Sequence, residues 1–391
     1  MGWRHRWLQP LVALAATAAA GVVSIAPVAA MPPVAAGELL AEVAMRADQL
    51  VAGASRGWFV SYRTNDEHDR PAVSNGQVYL PQGTPPAGGW PVVSWGYGTA
   101  GVGDGCAASQ RMQADQPPTL AVALSQPMIS GFLSSGYAVV ATDYIGLGTD
   151  GSHHYLSAKA EAHAVTDIVR AARATGEAVS RNWLSAGHSQ GGHAALMANH
   201  LAEAYAPELD LHGTVAIAPA SNAEHALSLL GPSVPNPGGQ LDGMSSLLTY
   251  ILYGLRASRP DLDVDSYLTR YGREIVDNAE SLCSSELRES LTGTGPGTLL
   301  AKPVFGSRLA SALTEYMQIP TSGWAHPVWI VHGTADRVVP LASSVALAAQ
   351  LRGGGADVDL ISFPGTGHFD VIEVALRPAQ EQARTLLPPR P

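Results

Sequence analysis

A chain of 391 residues with 46% hydrophobic content can bury a large core, and no fixed-period self-similarity marks it as a repeat array. Its 33 Asp and Glu against 23 Lys and Arg leave a formal net charge of −10, which argues against nucleic acid or anionic membrane as a partner and favours a neutral or weakly polar small molecule. Charged residues make up only 14%, beside 41 Gly and 28 Pro, which excludes a disordered chain and implies many defined turns.

At the N-terminus, Arg4, His5 and Arg6 precede an apolar stretch over residues 8–25, and small residues follow at Val28-Ala29-Ala30 and Val34-Ala35-Ala36. This pattern predicts a secretory signal peptide over residues 1–36; a membrane anchor is the competing reading, against which Pro10, Gly21 and the two cleavage-like sites weigh. No later segment reaches about 18 uninterrupted apolar residues, so no membrane span is expected after signal cleavage. Export makes the protein extracellular. In that oxidising setting the two cysteines, Cys106 and Cys283, are expected to pair rather than remain two buried thiols.

Residues 38–51 predict a helix, with Leu40, Val43, Ala44 and Ala47 on one face. Residues 58–62 and 73–80 read as strands joined through the turn-rich 65–69, hence a hairpin. A Pro- and Gly-rich loop then leads into Pro91-Val92-Val93-Ser94-Trp95, a buried-strand pattern ending in Gly96-Tyr97-Gly98-Thr99. From there strand-like runs at 137–142, 183–186, 214–218, 328–331 and 358–361 alternate with helical patterns such as the stripe Val165, Ile168, Val169 and Ala172. Such alternation predicts an α/β fold with a mostly parallel, doubly wound sheet, in which reactive groups gather at the carboxyl ends of the strands.

Between residues 221 and 327 the alternation stops in favour of Ser-, Gly- and Pro-rich sequence with helical stretches. The expected division is a core of residues 37–221 and 327–391 with a helical cap, residues 222–326, inserted into it. Within the insertion Leu241, Met244, Leu247, Leu248, Ile251 and Leu255 share one helical face. That face either packs on the main domain or lines a site for an apolar acyl chain.

The chemistry centres on Gly187-His188-Ser189-Gln190-Gly191, a Gly-x-Ser-x-Gly between a short apolar run and a helix-prone stretch. A serine on so sharp a turn needs small flanking residues, because a side chain there meets the adjacent strand or helix. Five residues alone do not separate a nucleophile from a glycine-rich turn without chemistry. A serine hydroxyl needs a base, and the base an orienting acid. Both stand just past late strands: Asp336 in His332-Gly333-Thr334-Ala335-Asp336, and His368 in Gly365-Thr366-Gly367-His368. The order Ser189, Asp336, His368 is that of an α/β-hydrolase, and Asp370 as the rival acid lies on the wrong side of the histidine. The oxyanion would be held by the Gln190 amide and by the loop after the 91–95 strand, through Thr99 or, second, Gly98. The other histidines, among them His153, His154, His188, His193, His200 and His212, form no metal motif and read as structural or surface residues. No phosphate-cradling loop or dinucleotide fingerprint is present, so no metal and no cofactor are expected.

The chain resembles the secretory lipase family of α/β-hydrolases in Gly89 to Trp95 running into Tyr97-Gly98-Thr99, Asp143-Tyr144 with Gly146-Leu147-Gly148, Gly187 to Gly192, His332 to Asp336, and Gly367-His368. The resemblance implies hydrolysis of carboxylic esters, triacylglycerols among them, with Ser189 as nucleophile, Asp336 as orienting acid and His368 as base. It also implies a helical cap before the Asp336 strand. One departure concerns the oxyanion loop, where many relatives carry His-Gly-Thr and this chain has Tyr97-Gly98-Thr99. A peptidase or amidase of the same fold, or a non-catalytic binding protein that kept it, are the alternative readings.

Overall fold

The computed structural model describes residues 35–389, so all but the last two residues of the expected signal peptide lie outside the described residues. The chain opens with β1 (Leu39–Ala44), β2 (Ala54–Asn65), β3 (Pro71–Pro81) and β4 (Trp90–Gly96). Helices α1 (Ala108–Gln113) and α2 (Leu120–Ser134) follow, then β5 (Ala138–Thr142), α3 (Ala158–Ala174), β6 (Val179–His188), α4 (Gln190–Tyr205) and β7 (Asp210–Ile217).

The order along the sheet is β1-β2-β3-β5-β4-β6-β7 and then two late strands, β8 (Val328–Gly333) and β9 (Val358–Phe363). Pairing is antiparallel from β1 through β3 to β5, and parallel from there to β9. After β7 come α5 (Ala223–Ser228), α6 (Asp242–Ser258), α7 (Arg270–Asn278), α8 (Ser284–Ser290), α9 (Pro296–Leu299) and α10 (Arg308–Met317), and no strand is added before β8. Helices α11 (Leu341–Gly353) and α12 (Val371–Leu386) follow β8 and β9.

Alternating side chains of each strand feed opposite faces. Val92, Val140, Ala216 and Ile330 pack with Val165, Ile168 and Val169 of α3, Leu196 of α4 and Leu347 of α11. Val93, Val139, Val215 and Val331 pack on the other side with Met128 and Phe132 of α2 and Ala375 and Ala379 of α12. Helices on both faces of a mostly parallel sheet are the α/β architecture expected from the alternation. The segment between β7 and β8 has a core of its own, in which Leu248, Ile251 and Leu255 of α6 meet Leu287, Leu309 and Leu313, together with Val102, Tyr155 and Val339 from loops of the sheet domain.

One expected element is wrong. Residues 38–51 do not form a helix: Leu39–Ala44 is an edge strand, Ala41 opposite Ser61 and Val43 opposite Phe59, followed by a single 3-10 turn at Ala47–Gln49. The unpaired edge of β2 offers a row of hydrogen-bond partners, and these outweigh a weak helical stripe. Leu40 and Val43, which that stripe would have buried, are 40% and 56% exposed.

Candidate active site

Strand β6 runs out at His188, α4 begins at Gln190, and Ser189 between them has φ 56° and ψ −115°. Positive φ in a residue with a side chain costs energy that the surroundings must offset. Here the Ser189 amide donates to the Ile217 carbonyl at 2.9 Å, and the Ser189 carbonyl accepts from the His193 and Ala220 amides at 3.0 and 3.2 Å. The flanking glycines are there for space. A Cβ at Gly191 would overlap the Gly96 carbonyl, and one at Gly187 the Gly191 carbonyl. The ends of β4, β6 and α4 therefore touch backbone to backbone.

Asp336 follows β8, and His368 lies between β9 and α12. His368 Nδ1 is 2.6 Å from Asp336 Oδ2, and its Nε2 is 2.9 Å from Ser189 Oγ. A carboxylate only accepts, so Nδ1 carries the proton and Nε2 presents a lone pair to the serine hydroxyl. The amides of Val338 and Val339 donate to Asp336 Oδ1 at 2.8 and 2.9 Å. His332 Nε2, which donates to the Val339 carbonyl at 2.8 Å, also reaches Asp336 Oδ2 at 3.2 Å. Burial pushes the Asp336 carboxyl up, but the bonds from His332, His368 and the backbone outweigh it and hold the group well below the usual carboxylate range. Among the described residues the His368 ring bonds Asp336 and Ser189 and not Asp370, which precedes α12.

His188 has a supporting place that its sequence position did not reveal. Its Nε2 donates to the His368 carbonyl at 2.8 Å, and the two rings lie 4.7 Å apart. Burial, with the neighbouring His368, lowers its pKa to about 3, so it supports the His368 loop as a neutral ring.

Gly98 and Thr99 line the small cavity, about 40 Å3, that contains Ser189 and His368. Neither the Thr99 amide nor the Gln190 amide donates to a loop carbonyl or a side chain among the described residues. The Thr99 hydroxyl is paired with the Tyr155 hydroxyl at 2.6 Å. Tyr144 Oη donates to the Tyr97 carbonyl at 2.8 Å, and Tyr97 Oη donates to Gln77 Oε1 at 3.1 Å, so the loop is held from behind. A larger groove, about 600 Å3 beside Met112 and Pro127, contains none of these residues.

Beneath Gln190 lies a buried network that the sequence reading missed. Gln190 Nε2 donates to Glu161 Oε1 at 2.7 Å and to His153 Nε2 at 3.0 Å, while His153 Nδ1 donates to the Ile145 carbonyl at 2.9 Å. The Leu156 amide donates to Glu161 Oε1 at 2.8 Å, and His193 bridges Glu161 Oε2 at 3.3 Å to the Met317 carbonyl of α10 at 2.9 Å. Burial lowers the His153 pKa to about 4, consistent with a neutral ring accepting from Gln190. One signal was available: Glu161 stands four residues before Val165 on the same helical face, an acid where the stripe should be apolar.

Cys106 and Cys283 form a disulfide with Cα atoms 5.5 Å apart. The Ser284 amide donates to the Ala100 carbonyl at 2.8 Å, so α8 is tied twice to the chain just beyond Thr99.

A model of the secretory lipase family matches residues 108–379. Lipase A of Moesziomyces aphidis is 24% identical over 273 residues, covering 65% of this chain and 55% of that protein. A Mycobacterium tuberculosis protein named "Probable inactive lipase" is 26% identical over 322 residues, covering 76% of this chain and 66% of that protein. The chain thus spans between about half and two thirds of the curated relatives it matches. Among solved structures, Candida antarctica lipase A in its closed state superposes with a TM-score of 0.73 at 20% identity, covering 88% of this chain and 80% of that one. A rice cell wall degrading esterase from Xanthomonas oryzae gives 0.72 at 19% identity, covering 90% and 98%. At such identities the likeness establishes the α/β-hydrolase fold.

Proposed function

The chain belongs to the secretory lipase family, and from that premise and the site geometry we propose that it is an exported carboxylic ester hydrolase working through an acyl-enzyme. Ser189 Oγ attacks the ester carbonyl while His368 Nε2 takes its proton, and Asp336 stabilises the imidazolium and holds the ring. The amides of Gln190 and Thr99 receive the oxyanion. His368 then protonates the departing alcohol, and water, deprotonated by the same ring, releases the acid and restores the serine. The observation that carries this reading is the unbroken line from Ser189 Oγ through His368 to Asp336, at 2.9 and 2.6 Å.

The residues between β7 and β8 act as a helical cap, a reading supported by Ser284 and Arg288 of α8 lining the cavity at Ser189. Secretion is supported by the charged-then-apolar N-terminus and by the disulfide. The substrate is an ester or lipid. Among the described residues no helix is long and apolar enough to cross a membrane.

The M. tuberculosis relative's name motivates a second reading, a non-catalytic protein that keeps the fold. Both are tested together. Wild-type protein should hydrolyse p-nitrophenyl butyrate and be labelled at Ser189 by a fluorophosphonate. Ser189→Ala should lose at least about a thousandfold in kcat with its melting temperature kept. An active alanine variant overturns the role of Ser189, and an unlabelled, inactive wild type establishes the non-catalytic reading. Aminoacyl p-nitroanilides run alongside detect an amidase, and a p-nitrophenyl series from acetate to palmitate reads the chain-length preference.

A further inference from the structure

We infer that Arg288 is a recognition residue for an anionic group, a carboxylate or phosphate, carried by the ester substrate; this rests on the ester-hydrolase reading above. Part of the wall of the cavity at Ser189 is apolar, formed by Leu120, Leu124, Val338 and Phe369. Arg288 is the only formally charged side chain in that lining, beside the hydroxyls of Thr99, Ser189 and Ser284 and the imidazoles of His188 and His368.

The guanidinium of Arg288 lies 5.0 Å from the centre of the Phe369 ring, the residue next to the base. Among the described residues the guanidinium makes no ion pair and no hydrogen bond, only the contact with the Phe369 ring, although the chain carries ten more acids than Arg and Lys combined, 33 against 23. Most other arginines near an acid are spent, as Arg256 on Asp265 and Asp277, Arg259 on Asp261 and Glu315, and Arg170 on Asp167 and Glu208. On α8 itself, Glu286 is engaged by the Cys283 amide at 2.7 Å, and Glu289 is exposed to solvent.

An arginine stacked on an aromatic face keeps its in-plane N–H fork available, and that fork matches a carboxylate or phosphate edge in two parallel bonds. The helix that carries the fork is anchored by the disulfide and by the bond from Ser284 to Ala100, so little ordering is needed on binding.

The anionic group can sit on the acyl side or on the alcohol side, and two substrate pairs separate these. The acyl arm compares mono-p-nitrophenyl glutarate with p-nitrophenyl valerate. The alcohol arm compares 4-acetoxybenzoate with 4-acetoxybenzamide. Values of kcat/KM are normalised to alkaline hydrolysis of each ester. In at least one arm the wild-type protein should favour the anionic member, and Arg288→Gln should lower that ratio by about tenfold or more. Arg288→Lys should restore part of it. A wild-type ratio at or below one in both arms overturns the inference whatever the variants do, and so does a ratio that Arg288→Gln moves less than twofold. If none of the four esters is cleaved and Ser189 takes no fluorophosphonate, the ester-hydrolase reading itself has failed, which is a different result.

Discussion

Asp143 and Asp336 are both buried carboxyls next to the site, and their surroundings drive them in opposite directions. Asp336 accepts two backbone amides and two imidazole N–H groups, which together hold it ionised. Asp143, at the end of β5, accepts from Gln77 Nε2 and the Ser109 amide at 3.2 Å and from the Ser109 hydroxyl, yet burial dominates and raises its pKa to about 6. The folded state therefore binds a proton that the unfolded chain, with a carboxyl near ~3.9, has already released. The resulting stabilisation is complete below about pH 4 and is lost as pH rises through about 6, a change of about 2–3 kcal/mol. Chemical denaturation at pH 4, 5, 6 and 7 should show this slope, to which Asp167 adds because burial raises its pKa to about 6 as well, and Asp143→Asn should remove the share that Asp143 contributes. An identical slope in the variant would remove Asp143 from the explanation. Gln77 also links Asp143 to Tyr97, in the loop after β4 that is proposed to supply an oxyanion donor.

At the scale of elements, the site depends on three strand and helix ends meeting without side chains between them. Gly96 closes β4, Gly187 is the penultimate residue of β6, and Gly191 is the second residue of α4. A methyl at Gly191 has no free volume, since the nearest atoms are backbone of Gly96 and cannot rotate away. Gly191→Ala should therefore cost about 2–3 kcal/mol of stability and lower kcat by displacing Ser189 from His368. Gly243→Ala in α6 is the matched control, because nothing lies within 4 Å of its Cβ position and the backbone there is helical. It should be neutral or slightly stabilising. Thermal melts of the two variants side by side decide the matter, and equal melting temperatures would contradict the packing argument. Helices α3 and α4 add a polar tie, since Glu161 and His193 connect the turn at Ser189 to α10, between β7 and β8.

For the molecule as a whole, one covalent bond ties the loop after β4 to the helical segment between β7 and β8. Cys106 and Cys283 are 177 positions apart, so closing that loop restricts the unfolded chain by roughly 5 kcal/mol in the chain-entropy model. Because Cys283 immediately precedes α8, whose Ser284 and Arg288 reach the cavity, its loss should be felt in catalysis as well as stability. Reductant, or Cys106→Ala with Cys283→Ala, should lower both the melting temperature and kcat/KM on p-nitrophenyl butyrate. Unchanged values for both would mean that noncovalent packing alone holds the insertion in place.

What could be read without a structure was whatever the backbone writes locally. Buried parallel strands leave short apolar runs such as Val92-Val93 and Val328 to Val331, and sharp turns leave glycines, so the α/β class and the ordered positions of Ser189, Asp336 and His368 were legible. The pairing of the two cysteines was legible from their even number and from the export that the N-terminal pattern predicts. The fate of Leu39–Ala44 was decided by tertiary structure, because its pattern suits a helix and only the open edge of β2 makes it a strand. The same holds for His332 beneath Asp336, His188 beneath His368, the Glu161 network beneath Gln190, and Arg288 at the cavity, which is without an ion-pair partner among the described residues. Each of these depends on hydrogen-bond partners, or on the absence of one, contributed by distant parts of the chain, and periodicity along a sequence carries no record of which distant groups meet.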